Sequence, residues 1–183
     1  NILVVSDYLA GEIKTFRVDN SGYLTHADTY NVGSNAFSPF GVNTGVSGLI
    51  FCAAYNDGIM SFTCDSSGNL SHLDTNDQGG SHRGLYGKWY DSLQRGVLFA
   101  AVDSNGVRSF TFDASGNLTH VQNTDNGNAT AIWGDDNYIY ECEYAGNVRV
   151  YKYNDDATFS DVVLTVSEPS YTYGAFRRGK YLF

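Results

Sequence analysis

Gly106-Val107-Arg108-Ser109-Phe110-Thr111-Phe112-Asp113-Ala114-Ser115-Gly116-Asn117-Leu118-Thr119-His120 occurs, with variations, four times in the chain. One copy is Glu12-Ile13-Lys14-Thr15-Phe16-Arg17-Val18-Asp19-Asn20-Ser21-Gly22-Tyr23-Leu24-Thr25-His26, and a second runs from Gly58 to His72. A worn copy spans Asn147-Val148-Arg149-Val150-Tyr151-Lys152-Tyr153-Asn154 and resumes at Phe159-Ser160-Asp161. Within each copy the side chains alternate, Val107, Ser109 and Thr111 against Arg108, Phe110 and Phe112. A period of two is that of a half-buried strand. The Asp-x-Ser-Gly segment closes a hairpin, because Asp hydrogen-bonds the backbone ahead and Gly takes the positive φ. Leu-Thr-His opens a further strand.

Upstream of each copy lies an apolar run: Ile2–Val5, Leu49–Ala54, Val97–Ala101 and Tyr138–Tyr140. Most of these runs reach the repeat through a Gly/Asn/Asp turn, such as Asn56-Asp57-Gly58. Shorter strand candidates precede them at Phe40–Val42, Gly84–Gly87, Ala131–Gly134 and Tyr173–Phe176. Four short strands per unit, at a spacing of about 41–48 residues, predict β-propeller blades.

The expected class is therefore all-β, a propeller of four-stranded antiparallel blades with four recognisable repeats. Blade one covers about 1–29 without a first strand, blade two about 38–75, blade three about 83–124 and blade four about 130–165. A partial fifth blade is expected over 173–183. Tyr173–Phe176 could supply blade one's missing strand, but Tyr181-Leu182-Phe183 would then compete with Ile2-Leu3-Val4 for one slot. That redundancy predicts a segment of a larger ring, or a ring that needs a second copy, since exposed sheet edges are unstable.

The formal net charge of −9 argues against a nucleic-acid partner, which calls for a basic surface. No apolar run is long enough to span a bilayer as a helix. The three cysteines lack metal-ligand spacing. Cys52 and Cys64 fall on neighbouring strands, but a tight hairpin at Asn56-Asp57-Gly58 is expected to set Cys52 nearer Phe62. Buried free thiols are the expectation. The chain starts at Asn1 without an initiator Met or a signal-peptide pattern. Asn69, Asn117 and Asn128 each head an N-glycosylation sequon, which points to an extracellular or cell-surface setting.

The apolar run Leu98-Phe99-Ala100-Ala101 followed by Gly106–Thr119 resembles the repeats of lactonase-like β-propellers. That family includes the 6-phosphogluconolactonase type and the YVTN-type surface-protein repeats. The resemblance implies a ring with about three more blades than this chain supplies. It also implies, in the members that hydrolyse lactones, a Pro-Arg-His-like segment leading into an innermost strand. The nearest match is Ser81-His82-Arg83-Gly84-Leu85, in which Arg83 matches and His82 stands before it rather than after. Neighbouring strand residues point to opposite faces.

In such a fold the loops between blades and the turns between second and third strands share one face. Asp7, Asn56, Asp57, Asp103 and Asn105 come from the turns. The ligand-binding candidates are Asp57, Asp103, Asn105 and Tyr173, near the central channel. In an enzyme, Arg83 would bind an anionic group or oxyanion while His82 served as general base. His26, His72 and His120 occupy one position of successive blades, so the ring holds them too far apart to share a metal at ~2.0–2.1 Å. Asp19, Asp65 and Asp113 read as turn-formers, and Trp89, Trp133 and Tyr86 as packed aromatics. No cofactor motif or metal site is present. Two functions follow: a non-catalytic binding or assembly module that presents its loops to a protein or glycan, and a hydrolase acting on a small lactone.

Overall fold

The computed structural model describes residues 1–45, 48–103, 105–124 and 127–167, together with the backbone of 177–178 and 181–182. The described residues are all strands, turns and loops, without a helix. Blade one has three antiparallel strands, β1 (Ile2–Asp7), β2 (Glu12–Val18) and β3 (Leu24–Asn31). Blade two has β4 (Ala36–Asn43), β5 (Gly48–Ala54), β6 (Gly58–Cys64) and β7 (Leu70–Asn76). Blade three has β8 (Ser81–Tyr90), β9 (Arg95–Asp103), β10 (Gly106–Phe112) and β11 (Leu118–Asn123). Blade four has β12 (Ala129–Gly134), β13 (Tyr138–Glu143), β14 (Asn147–Lys152) and β15 (Leu164–Ser167). A two-residue pair, β16 (Arg177–Arg178) and β17 (Tyr181–Leu182), lies in the expected fifth unit. Among the described residues the array is not closed.

In blades one, two and three the turn between the last two strands uses the predicted chemistry. Asp65 Oδ1 accepts the amides of Ser67 and Asn69 at 2.8 and 2.9 Å, and Gly68 sits at φ +92°. Asp19 and Asp113 repeat the arrangement. The repeated histidines stack edge-on against Phe16, Phe62 and Phe110, one in each blade, 5.5–5.6 Å between centroids. They cap a bulge in each blade and share no site.

The second strands of blades two and three are buried on both faces, because each of these blades packs one face on the preceding blade and the other on the next. Leu98, Ala100, Val102 and Phe110 meet Leu49, Phe51 and Ala53 of blade two. Val97, Phe99, Ala101 and Val107 meet Ile139, Tyr151 and Tyr153 of blade four. Fully burying side chains of this size stabilises by about 1.5–3 kcal/mol each.

One local reading is corrected. Cys52 pairs with Met60 rather than lying nearest Phe62, because the turn runs from Tyr55 to Asp57, one residue earlier than Asn56 to Gly58, and the register moves by two. Pro39 lies inside β4, at a bulge between Phe37 and Phe40, the kind of position where a strand tolerates proline. The three cysteines are free, Cys52 and Cys142 being buried.

Candidate functional site

The loops between blades and the turns after each second strand do lie on one face, and they interlock. Val32 N–H donates to Gly11 O at 2.9 Å, Asn35 Nδ2 to Tyr8 O at 2.8 Å, and His82 N–H to Tyr55 O at 2.9 Å. These bonds hold the first strand of one blade against the turn of the blade before it.

On this face the repeat places Tyr8, Tyr55, Asp103 and Tyr144 at one equivalent position, the first residue after the second strand's last inward side chain. The start of the first strand contributes Phe37 and Arg83. Tyr8 packs on Phe37 at 4.9 Å between centroids, and Phe37 on Tyr55 at 5.7 Å. The Arg83 guanidinium lies 5.8 Å from the Phe37 ring and 5.5 Å from the Tyr55 ring. Its Nη2 donates to Asp103 Oδ2 at 2.7 Å. The result is a row, Tyr8–Phe37–Tyr55–Arg83–Asp103, that crosses three blades. Tyr8 is exposed, and the other members are partly so. A cation between two rings and a carboxylate is fixed in orientation, so the row is a preorganised surface rather than a set of mobile side chains.

His82 does not belong to this row. Its side chain is fully buried between blades two and three, where Nε2 lies 3.4 Å from Arg108 Nη1. The Arg108 guanidinium also donates to Gly79 O. Nδ1 of His82 is buried without a hydrogen-bond partner. Burial first, then the Arg108 charge, pushes the imidazole down to about 4, so it is neutral at pH 7. The proposed pair is thus divided by the strand itself: Arg83 faces the loop surface and His82 the interior. A base enclosed in this way cannot reach a substrate lying on Arg83.

Of the other candidates, Asp57 and Asn105 lie on the same face, partly exposed, Asp57 against Gly33 and Asn105 against Gly80. Tyr173 lies outside the described residues. Asn69, Asn117 and Asn128 are exposed, and Asn69 and Asn117 use Nδ2 to hold Asp65 and Asp113 at 2.8 Å. Trp89 and Tyr86 are packed between blades, the Tyr86 hydroxyl donating to Asp135 O at 3.0 Å. Among the described residues no cluster of three or more His, Cys, Asp or Glu could hold a metal. No helix among them is long and apolar enough to cross a membrane. Sequence reasoning passed over Tyr8, Phe37 and Tyr55; the available signal was that tyrosine recurs at 8, 55 and 144, with Asp103 in its place in blade three.

Among solved structures, the chain is similar to a protein from Lactobacillus plantarum, with a TM-score of 0.67 at 16% identity. A functionally unknown protein from Desulfotomaculum acetoxidans gives the same TM-score at 11% identity. The fold is a β-propeller-like blade array. Both alignments cover 91% of this chain, and they cover 54% and 52% of those structures, so the chain spans about half their length. At such identities the likeness speaks for the fold alone. No family model and no curated protein matches the sequence.

Proposed function

We propose that the chain is a non-catalytic binding module whose loop face receives a protein or glycan partner. The observation that carries this reading is the row from Tyr8 to Asp103, in which blade three replaces the aromatic pair Phe37 and Tyr55 with the ion pair Arg83 and Asp103. Aromatic side chains with a polar tip, held rigidly beside a fixed charge, bind partners at low entropic cost. Asp57 and Asn56 flank the row with hydrogen-bonding groups. Three exposed sequons support an extracellular setting for such a module.

The lactone hydrolase suggested by the repeat's resemblance keeps Arg83 as an open anion-binding group. It loses its histidine base, because His82 is enclosed on the other side of β8. The test is a glycan array and a partner screen with the wild-type chain, Tyr55→Ala and Arg83→Ala, alongside an assay on simple lactones. Binding that falls at least tenfold in both variants at unchanged melting temperature, without turnover, is expected. Lactone turnover abolished by Arg83→Ala would overturn the reading.

A further inference from the structure

The blades are joined by a latch that repeats. Thr15 of blade one donates its hydroxyl to Gly68 O of blade two at 2.5 Å, and Asp28 Oδ2 accepts Leu70 N–H at 2.8 Å. One blade further on, Ser61 donates to Gly116 O at 2.7 Å, and Asp74 Oδ2 accepts Leu118 N–H at 2.8 Å. From blade three to four the carboxylate becomes Gln122, which exchanges bonds with the backbone of Phe159 at 3.2 and 3.3 Å. On their leading faces, blades two and three therefore each offer a glycine carbonyl to a hydroxyl and a leucine amide to a carboxylate on the trailing face of the blade before.

Blade one has the receiving half of this latch, Gly22 O and Leu24 N–H, at the positions of Gly68 and Leu70 in the repeat. A methyl group placed on Gly22 would meet nothing within 4 Å, whereas at Gly68 and Gly116 it would meet the neighbouring blade. The apolar side chains around it are uncovered too. Leu3 is 41% exposed and Leu24 45%, against 7% for Ile50, 0% for Leu98 and 6% for Leu118 at equivalent positions. Val5 is 39% exposed where Cys52 and Ala100 are fully buried.

We infer that the leading face of blade one is a docking site for another β-blade of this build. That blade would carry a Ser or Thr hydroxyl at the Thr15/Ser61 position and an Asp at the Asp28/Asp74 position. Continuity with the two existing latches fixes the chemistry: one hydroxyl donor for Gly22 O, one carboxylate for Leu24 N–H, and a row of apolar side chains for Leu3, Val5 and Leu24. A second copy of this chain does not fit. Its blade four offers Val150 where the hydroxyl belongs, paired with Leu164 on the outer strand where the acid belongs. The side chains at the acid position of its other blades, Asp28, Asp74 and Gln122, are already engaged with the next blade.

The test adds a blade to the full chain. A copy of residues 32–94, which holds blade two and the first strand and turn of a following blade, is fused ahead of residue 1. Hydrogen exchange of the Leu24 amide is then measured. It is expected to slow by at least 100-fold relative to the unfused chain, toward the rates of Leu70 and Leu118. It is expected to recover when Asp74→Ala is made in the fused copy alone. Leu24 exchange that stays fast in a folded fusion would overturn the proposal. So would an unfused chain that sediments as a dimer with Leu24 already protected, which would make the occupant a second copy. If the fusion does not fold, the same amide is read in the protein isolated from its natural source. Protection there in a monomeric species supports a docked blade, and fast exchange rejects it.

Discussion

Two buried titratable groups set how single residues respond to pH. His82 is held at about 4, below its unfolded value, so the unfolded chain takes up its proton first. Its folded form is unpenalised above about 6.5 and loses stability as pH falls toward 4. Nuclear magnetic resonance should show the His82 ring unchanged from pH 7 down to pH 5. A midpoint near 6.5 would mean that the ring is open to water. Glu141 behaves in the opposite sense. It occupies the leading-face position of Cys52 and Ala100, where burial pushes its carboxyl up to about 7 despite a 2.7 Å bond from the Tyr151 hydroxyl; Glu143 adds to the rise. A raised carboxyl pKa stabilises the fold most below the unfolded value of about 4.5, and that stability declines as pH rises through 7. Glu141→Gln should therefore be more stable than wild type at pH 8, by on the order of 2–3 kcal/mol, and indistinguishable from it near pH 4. Urea melts at the two pH values test this; equal stability at both would remove the buried charge from the account.

At the scale of the element, the strand–turn–strand unit was legible because each step has a local cause. Alternation gives the strand, and Asp with Gly gives the turn. The role of the outer-strand carboxylates Asp28 and Asp74 was not legible, because their partners are 42 and 44 residues away in the next blade. Nothing in the local pattern separates such an Asp from a solvated one. Asp74→Ala leaves the buried Leu118 amide without its acceptor, which should cost about 1–3 kcal/mol. Thermal melts should show this loss, and a change under 0.5 kcal/mol would mean that water replaces the carboxylate. The tight turn at Asn56-Asp57-Gly58 shows the other limit: its residues announce a hairpin, but a turn centred one residue earlier, on Asn56, moved Cys52 opposite Met60.

Across the whole molecule, contacts run from each blade to its neighbours, so stability is distributed as in a linear array. Blade three is covered on both faces and blade one on only one. Phe99→Ala, at a fully buried position between blades three and four, should cost about 3–5 kcal/mol. Leu3→Ala, on the uncovered face, should stay within about 0.5 kcal/mol in the same denaturant titration. Comparable losses at the two sites would mean that Leu3 is covered in solution.

What the chain determined by itself is its repeat, hence its all-β class, its four-stranded units and the turns that close them. Those properties follow from periods of two and from residues acting on their own neighbours. Tertiary structure alone decided the site. It sent His82 into the blade interface and left Arg83 between Phe37 and Tyr55, because adjacent strand residues diverge and a bulge follows His82. It also joined Tyr8, Phe37, Tyr55, Arg83 and Asp103 into one surface, since these residues meet only when successive blades are stacked side by side.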